Sequence, residues 1–402
     1  MVEIFSYEEI YDAYIDCCNH KKNTVNCCDF MIDHATELYV LWEELNNGTY
    51  TVGKSTAFVV HTPKDREIFA ADFRDRIIHH LISQRIMPYL EQEFIVDSYS
   101  CMGGRGTTMA VYRCARAINI VSNGGTSEAY ILKGDFKNFF MLIDKRLMYD
   151  RICQLLDKYE NWDDEAEKRW KHLIAQVVFN CPQENCKIVG RLQEFQTLPR
   201  GKSLFECDEW HGIPIGNLTS QLFANLYLSD FDWFVKEALD FEYYGRYVDD
   251  FYIVCNSKEK LLRVIPKIKK YLSKIGVVLH PRKVSITNAV QGVEFLGAFI
   301  KPRRILVGTR TKANFWKTVR KHDVWLSEHK FPNESQLSKI QSSINSYIGF
   351  FMQYNSYNLR KAWLISERFG NLTTYFVVDD NLKKITKFLR QNICSFETNF
   401  LC

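Results

Sequence analysis

The sequence lacks several features that would assign it to other protein classes. No apolar run reaches the roughly 18 residues that a membrane-spanning helix requires, so no membrane is expected among its partners. The first residues, MVEIFSYEEIYDAY, carry neither the basic start nor the apolar stretch of a secretory signal, which predicts a cytoplasmic location. No internal repeat, low-complexity tract or flexible linker interrupts the 402 residues, a length that suits two or three domains sharing cores.

The 13 cysteines also lack a regular pattern. Two pairs are adjacent in sequence, Cys17–Cys18 and Cys27–Cys28, whereas a secreted disulfide framework would be more evenly spaced, so reduced thiols are expected. Cys181 and Cys186, with Cys207 further on, could bind zinc, but their spacing matches no common zinc motif. The alternative is that they are buried or half-buried free thiols.

Charge is unevenly distributed along the chain. The net charge is +4, but residues 301–402 carry 17 lysines and arginines against 7 acidic residues, which leaves a net charge of −6 for the first 300 residues. The basic third is also rich in aromatic residues. This combination is typical of a surface that binds a phosphate backbone, and equally of a solvated helical surface over an aromatic core.

Hydrophobic periodicity predicts both helices and strands in the first half. Helices are expected within residues 1–50, ending at the Asn-Asn-Gly of 46–48, and over 69–94 with a break near Pro88. Another helix should follow the glycine-rich loop at 98–107. A strand at 57–61 leads into a turn at 62–65.

The second half continues the mixture. AYILKGDFKNFF is a predicted strand that runs into a turn, RLMYDRICQLLDKY a helix, and residues 180–211 an irregular polar insertion. A long helix at 218–239 precedes the hairpin FEYYGRYVDDFYIVCN, an amphipathic helix at 258–275 and a second hairpin, VEFLGAFIKPRRILVG. The remainder is mainly helical, and the order of elements predicts an α+β fold.

Two adjacent acids interrupt an apolar, β-type segment at YVDD, residues 247–250. Neighbouring side chains of a strand face opposite ways, so Asp249 and Asp250 can reach one cation only at a hairpin turn. An exposed acidic turn is the plainer alternative. Asp135 also follows an apolar strand, 114 residues before Asp249. If folding brings the three together, they match the carboxylate set that two Mg²⁺ ions need for phosphoryl transfer.

A third segment, GIPIGNLTSQLFANLYL, joins two glycines to the start of the long helix. Gly212 and Gly216 permit close approach of the backbone, and Ser220 and Gln221 begin the helix. Such a loop can lie against an incoming nucleotide and its template base. On its own, it is equally typical of a plain turn before a core helix.

Seven segments in chain order, over about residues 58–300, resemble the reverse-transcriptase family: PKDREIFAADFRDRIIHHLI, SYSCMGGRGTTMAV, DFKNFF, GIPIGNLTSQ, YVDD, LHPRKV and VEFLGAFI. The resemblance implies a right-hand polymerase fold of α+β class. It implies an N-terminal helical extension (1–56), fingers with part of the palm (57–134), a palm of antiparallel sheet plus helices (135–300, with the insertion 180–211) and a basic helical thumb (301–402). Expected partners are an RNA template, a DNA primer or cDNA, and dNTPs.

The resemblance also implies roles for single residues. Asp135, Asp249 and Asp250 would hold two Mg²⁺ ions, for which Mn²⁺ can substitute, with help from the backbone at Phe136. Phe140, five residues after Asp135, would block a ribose 2′-hydroxyl and so favour dNTPs.

Further residues complete this implied site. Lys64 and Arg66 would meet the triphosphate, to which their charges are suited. Lys283 of LHPRKV would act as a catalytic general acid near the leaving pyrophosphate. Gly216 and Gln221 would line the nucleotide, together with Ile215.

One departure from the family pattern narrows the resemblance. Many reverse transcriptases have Gln before the motif glycine, but here Ile215 precedes it, and IGNLTSQ with the upstream LPRGKSLF resembles the enzymes of diversity-generating retroelements, which are bacterial or phage-encoded. Those enzymes miscopy template adenines and work with a barrel-shaped accessory protein. An Ile offers only apolar contact, which suits low fidelity. Two alternatives stay open: an antiphage-defence polymerase of the abortive-infection type, and a non-catalytic RNA-binding scaffold.

Overall fold

The computed structural model describes residues 3–19, 24–61, 64–366 and 369–388. The chain divides into two compact units, one of residues 1–110 and 132–286, the other of residues 111–131 and 287–402. Helices and strands are mixed, so the predicted α+β class is confirmed. The finer boundaries predicted at residues 56, 134 and 300 stay predictions, and the turn predicted at 62–65 falls partly outside the described residues.

The first unit opens with helices and then alternates helices with strands. In chain order, the elements up to residue 288 are α1 (Tyr7–Cys18), α2 (Val25–Ile32), α3 (His34–Asn47), β1 (Ser55–Val60), β2 (Arg66–Ala70), α4 (Phe73–Glu93), α5 (Thr107–Val121), β3 (Tyr130–Asp135), α6 (Phe139–Leu142), α7 (Lys145–Tyr159), α8 (Asp164–Val178), β4 (Cys186–Ile188), α9 (Leu192–Gln196), α10 (Leu218–Tyr227), α11 (Ser229–Trp233), β5 (Tyr244–Tyr247), β6 (Asp250–Cys255), α12 (Lys258–Lys274) and β7 (Ser285–Asn288). Most of α5 belongs to the second unit. Gly48 ends α3 with a φ of +71°, as the Asn-Asn-Gly signal predicted.

The helix predicted over 69–94 was wrong at its start. Phe69 lies in β2, where it pairs with Ala57 of β1. A short apolar run fits a strand as well as a helix, and pairing with β1 decides between them. The break predicted near Pro88 was also wrong, because α4 continues through it; Ile86 and Leu90 on either side are fully buried, and their packing holds the helix together.

The long helix predicted over 218–239 is divided. α10 ends at Tyr227, α11 covers only five residues, and a π-helical turn follows at Phe234–Ala238. The divided helix directs Asp232, a fully buried carboxylate, toward the neighbouring sheet. That polar contact overrides a regular apolar periodicity.

The insertion at 180–211 was predicted to be irregular, but it contains the strand β4 and the short helix α9. Its β4 pairs in parallel with β1, so the first sheet has the order β2-β1-β4. Glu67 of β2 accepts hydrogen bonds from the Ser203 hydroxyl at 2.6 Å and the Leu204 amide at 2.7 Å. The insertion is therefore a bonded part of this sheet, which its polar composition concealed.

The acidic segments lie in a second sheet, of order β5-β6-β3-β7. On one face, Phe251 of β6 packs against Phe231 of α11 at 5.9 Å and over Gly134 of β3, where a Cβ would lie 2.3 Å from its ring. Side chains alternate along strands, so Asp250 and Asp135 belong to the opposite face. The two faces thus separate an aromatic core from the acidic groups.

The second unit has its own core. Its later elements are β8 (Val293–Phe295), β9 (Ala298–Lys301), β10 (Arg304–Val307), α13 (Thr309–Glu328), α14 (Glu334–Met352), α15 (Tyr357–Leu364), α16 (Leu372–Tyr375), β11 (Phe376–Val378) and β12 (Ile385–Lys387). Phe315 stacks on Trp363 with ring centroids 5.4 Å apart and meets Phe351 at 5.2 Å. These aromatic residues of the basic third therefore form a core. In the part of the chain that the structure describes, no helix is long and apolar enough to cross a bilayer.

Candidate active site

Strand pairing brings the three predicted carboxylates to one end of the second sheet. The β5–β6 register pairs Tyr247 with Asp250, which leaves Val248 and Asp249 as the two-residue turn of the hairpin. β3 is the neighbour of β6, and the Phe136 amide donates to the Asp249 carbonyl at 3.3 Å. The turn is thereby tied to the end of β3, next to Asp135.

Mutual repulsion marks these acids as a group. Burial, together with the charges of Asp250 and Asp135, raises the pKa of Asp249 to about 6. Burial also raises the pKa of Asp250, which Lys133 counteracts from 3.9 Å. The two acids of the hairpin therefore lie in an environment that disfavours their negative charge.

A lysine occupies one oxygen of the third acid. The Lys283 ammonium donates to Asp135 Oδ2 at 2.6 Å. Asp135 Oδ1 is buried and has no hydrogen-bond partner among the described residues. An unpartnered buried carboxylate oxygen is costly, and a cation is the partner that would remove the cost.

The carboxylates of Asp135, Asp249 and Asp250 are suitable ligands for a divalent ion such as Mg²⁺ or Mn²⁺. Their side chains are not arranged around a common point. Within the described residues, no three His, Cys, Asp or Glu side chains are arranged to hold a metal ion, and this includes Cys181, Cys186 and Cys207. Carboxylate oxygens are the ligands that Mg²⁺ prefers. With its free oxygen, Asp135 fits this role beside the turn acids.

One buried residue that was not predicted from the sequence, Arg246, supports the turn. Arg246 is fully buried and makes a two-point ion pair with Asp232, at 2.7 and 2.6 Å. Its Nη1 also donates to the Val248 carbonyl and to Asn225 Oδ1, each at 3.0 Å. The signal was present in the sequence, since an arginine within an apolar strand requires a buried partner.

Val248 shows why that support is needed. Its φ is +54°, a left-handed conformation that a β-branched side chain rarely adopts. Such strain persists only where surrounding contacts enforce it. The guanidinium bond to its carbonyl is one such contact, and it lies one residue before Asp249.

The glycine loop is fixed on two sides. The Gly212 and Ile213 amides donate to the Ile143 and Phe140 carbonyls, both at 2.9 Å, while the Phe69 amide donates to the Ile215 carbonyl at 2.9 Å. At Gly216, φ is +127° and a Cβ would lie 2.9 Å from the Ile68 side chain. Only glycine fits there without strain.

Ile215 and Phe140 border one apolar cluster. Its buried members are Ala57, Phe69, Met141, Phe195 and Leu204. Ile215 and Phe140 are both half-buried against it. Gln221 lies apart from them, exposed, where its side-chain oxygen accepts from the Cys101 thiol at 3.0 Å.

The model of the family described as reverse transcriptase (RNA-dependent DNA polymerase) matches residues 61–300, more than half of the chain. The chain belongs to the reverse transcriptase family. Its mixed architecture of sheets and helices is accordingly the right-hand polymerase fold. A comparison with curated proteins found no match.

Solved structures that are similar to this chain include telomerases from Candida species. Apo telomerase from Candida tropicalis, truncated from its C-terminal domain, is 14% identical over 62% of this chain and 54% of that chain, with a TM-score of 0.44. Telomerase from Candida albicans with a TWJ fragment of telomeric RNA is 11% identical over 81% and 59%, with a TM-score of 0.45. The chain thus spans little more than half the length of these telomerases, and likeness at this level carries no functional argument.

The two residues of this reverse transcriptase that were predicted to bind the triphosphate lie at the start of β2: Arg66 is its first residue and Lys64 precedes it by two. Lys64 and Arg66 are both exposed. Lys64 lies near enough to the carboxylates for its charge to lower the pKa of Asp250. Arg66 sits opposite Val60 in the β1–β2 register. Their proposed contacts to a nucleotide stay predictions.

Proposed function

We propose that this chain copies an RNA template into DNA by two-metal phosphoryl transfer. The observation that carries the proposal is the buried, unpartnered oxygen of Asp135 beside two mutually repelling acids, Asp249 and Asp250. Mg²⁺, or Mn²⁺ in its place, would be held by these three with the backbone at Phe136. When bound, it would help ionise the primer 3′-hydroxyl and stabilise the leaving pyrophosphate.

The chain's own groups would supply the remaining steps. The Lys283 side chain is nearly half exposed and donates a hydrogen bond to Asp135, a position from which it would donate to the leaving pyrophosphate as a general acid. Lys64 and Arg66 would bind the triphosphate, and Phe140 would exclude a ribose 2′-hydroxyl. Gly216 keeps the loop backbone close to the nucleotide.

Isosteric substitutions test this proposal. Asp135→Asn, Asp249→Asn and Asp250→Asn should each lower dNTP incorporation on a primed RNA template at least about 100-fold, because each removes charge stabilisation of several kcal/mol. RNA binding should persist. Asp12→Asn, at an exposed position of α1, is the matched control and should leave the rate unchanged. Wild-type protein that incorporates nothing on any template would favour a non-catalytic RNA-binding scaffold.

The finer proposal is an error-prone enzyme of a diversity-generating retroelement that works with a barrel-shaped accessory protein. It is supported by Ile215, whose side chain packs on the apolar cluster beside Phe140 and offers no hydrogen bond to the sugar or base. Errors in cDNA should therefore concentrate at template adenines, and Ile215→Gln should reduce them. A uniformly low error rate in sequenced cDNA would instead favour an antiphage-defence polymerase.

A further inference from the structure

Helix α12 carries an ordered stripe of basic residues. The helix contains seven lysines and arginines against one glutamate. All seven are exposed, and five of them recur at intervals of three or four residues: Lys260, Arg263, Lys267, Lys270 and Lys274. At 1.5 Å per residue this stripe runs for about 21 Å along one flank of the helix.

Helix α12 covers the face of the second sheet that is opposite to Asp135 and Asp250. Tyr271 of α12 meets Phe231 at 5.9 Å, and Phe231 meets Phe251 at the same distance, so α12 covers the Phe251 face of the sheet. The acids Asp135 and Asp250 belong to the other face. A ligand of the stripe is therefore separate from the primer and template at the carboxylates.

Outside α12, most basic residues of the described helices in this unit have acidic partners, but four residues of the stripe do not, and neither do Lys258 and Lys269. Arg74, Arg85, Arg151 and Lys171, for example, each lie within ion-pair distance of a carboxylate. In the stripe, Lys260 pairs with Asp240 at 3.6 Å. Among the described residues, the other four have no carboxylate within 4.0 Å. Like charges three and four positions apart destabilise a helix, so stability does not explain the pattern.

We propose that this stripe binds the phosphate backbone of folded RNA outside the duplex being copied, which rests on the proposed RNA-copying function. Regularly spaced cations on a rigid helix complement a polyanion. A membrane surface is disfavoured, because an interfacial helix must insert its apolar face. That face of α12, with Leu261, Ile268 and Leu272, is buried in the core.

Two matched double variants test the proposal in the full chain. Lys267→Gln/Lys270→Gln removes two charges from the stripe, and Lys258→Gln/Lys269→Gln removes two from the opposite flank of the same helix. Binding is measured by fluorescence anisotropy across a salt series, with a short RNA–DNA hybrid and with a long folded RNA ending in the same hybrid. Vesicles of phosphatidylserine and phosphatidylcholine are the comparison surface.

The stripe variant should bind the long RNA roughly tenfold more weakly, with the slope of log K against log salt reduced by about two. Binding and extension of the short hybrid should stay at wild-type levels, as should the flank variant throughout. Equal losses in both variants, no loss in either, or a loss confined to vesicles would each overturn the proposal. If the stripe effect appears while wild-type protein extends no primer, the RNA surface stands and the polymerase proposal fails.

Discussion

The buried ion pair between Arg246 and Asp232, next to the turn at Val248 and Asp249, yields the sharpest prediction. Removing Arg246 alone, as Arg246→Met, leaves Asp232 buried without a counter-charge and should lower the free energy of unfolding by about 3–5 kcal/mol. Such a variant loses activity for structural reasons alone. It cannot separate a role in folding from a role in positioning Asp249.

A variant in which apolar residues replace the whole buried ion-pair cluster separates the role of Arg246 in folding from its role in positioning Asp249. Asp232→Leu/Tyr244→Phe/Arg246→Met replaces both charges and the Tyr244 hydroxyl, which donates to Asp232 at 2.5 Å. Replacing a buried ion pair by apolar residues of similar volume is often neutral or stabilising. The triple variant should therefore regain most of the stability that the single variant loses, as measured by urea unfolding.

The repacked protein should still copy slowly. It lacks the 3.0 Å bond to the Val248 carbonyl, and a hydrogen bond from a charged group contributes about 1.5–3 kcal/mol. The left-handed conformation of Val248 costs a similar amount, about 1–3 kcal/mol, so the turn should relax once the bond is lost. The single-turnover rate at saturating dNTP should fall about 10–100-fold, and more Mg²⁺ should be needed.

Glycine at the strained position supplies the counter-test. Val248→Gly in the repacked protein adopts a positive φ without strain, and it should recover part of the lost rate. Nucleotide KM should change little, because the turn holds carboxylates and not the nucleotide loop. A repacked protein that is stable and copies at the wild-type rate would refute the argument that Arg246 positions the turn.

Three further outcomes follow from packing and charge. Gly134→Ala places a Cβ 2.3 Å from the Phe251 ring and should cost about 1–3 kcal/mol in urea unfolding, whereas Gly103→Ala, with nothing within 4 Å, should change stability little. Gly216→Ala should weaken dNTP binding in primer extension, because its Cβ would meet Ile68; unchanged KM would contradict this. Burial raises the pKa of Glu67, so the folded state binds that proton more tightly than the unfolded state, and stability relative to Glu67→Gln should fall as pH rises through the raised pKa; a pH-independent difference would count against it.

Local signals were enough for parts of the fold. The hairpin around YVDD, the end of α3 at Gly48 and the amphipathic α12 were predicted because each depends on residues adjacent in sequence. The meeting of Asp135 with the turn was predicted from the carboxylates that two-metal phosphoryl transfer requires and from the resemblance to the family, not from residues adjacent in sequence.

Elements whose structure depends on contacts with distant segments were not predicted correctly. The last two residues of β2 were assigned to a helix, because their pairing with β1 could not be known from those residues alone. β4 was missed because its parallel pairing spans more than 100 residues. Arg246 belongs to this group, since its need for a partner was visible but Asp232 lay within a segment that looked wholly helical.

The insertion links two parts of the site that the motifs treat separately. Leu204 and Phe195 of the insertion pack in the same cluster as Phe69, and Ile215 and Phe140 border that cluster. Glu67, one residue after Arg66, bonds to the insertion through Ser203 and Leu204. A shift of the insertion would therefore move two proposed contacts together: Arg66, proposed to bind the triphosphate, and Phe140, proposed to exclude the ribose 2′-hydroxyl. Substitutions in the insertion that do not contact the nucleotide should consequently change the fidelity of dNTP incorporation, because small displacements of positioning residues alter a preorganised site.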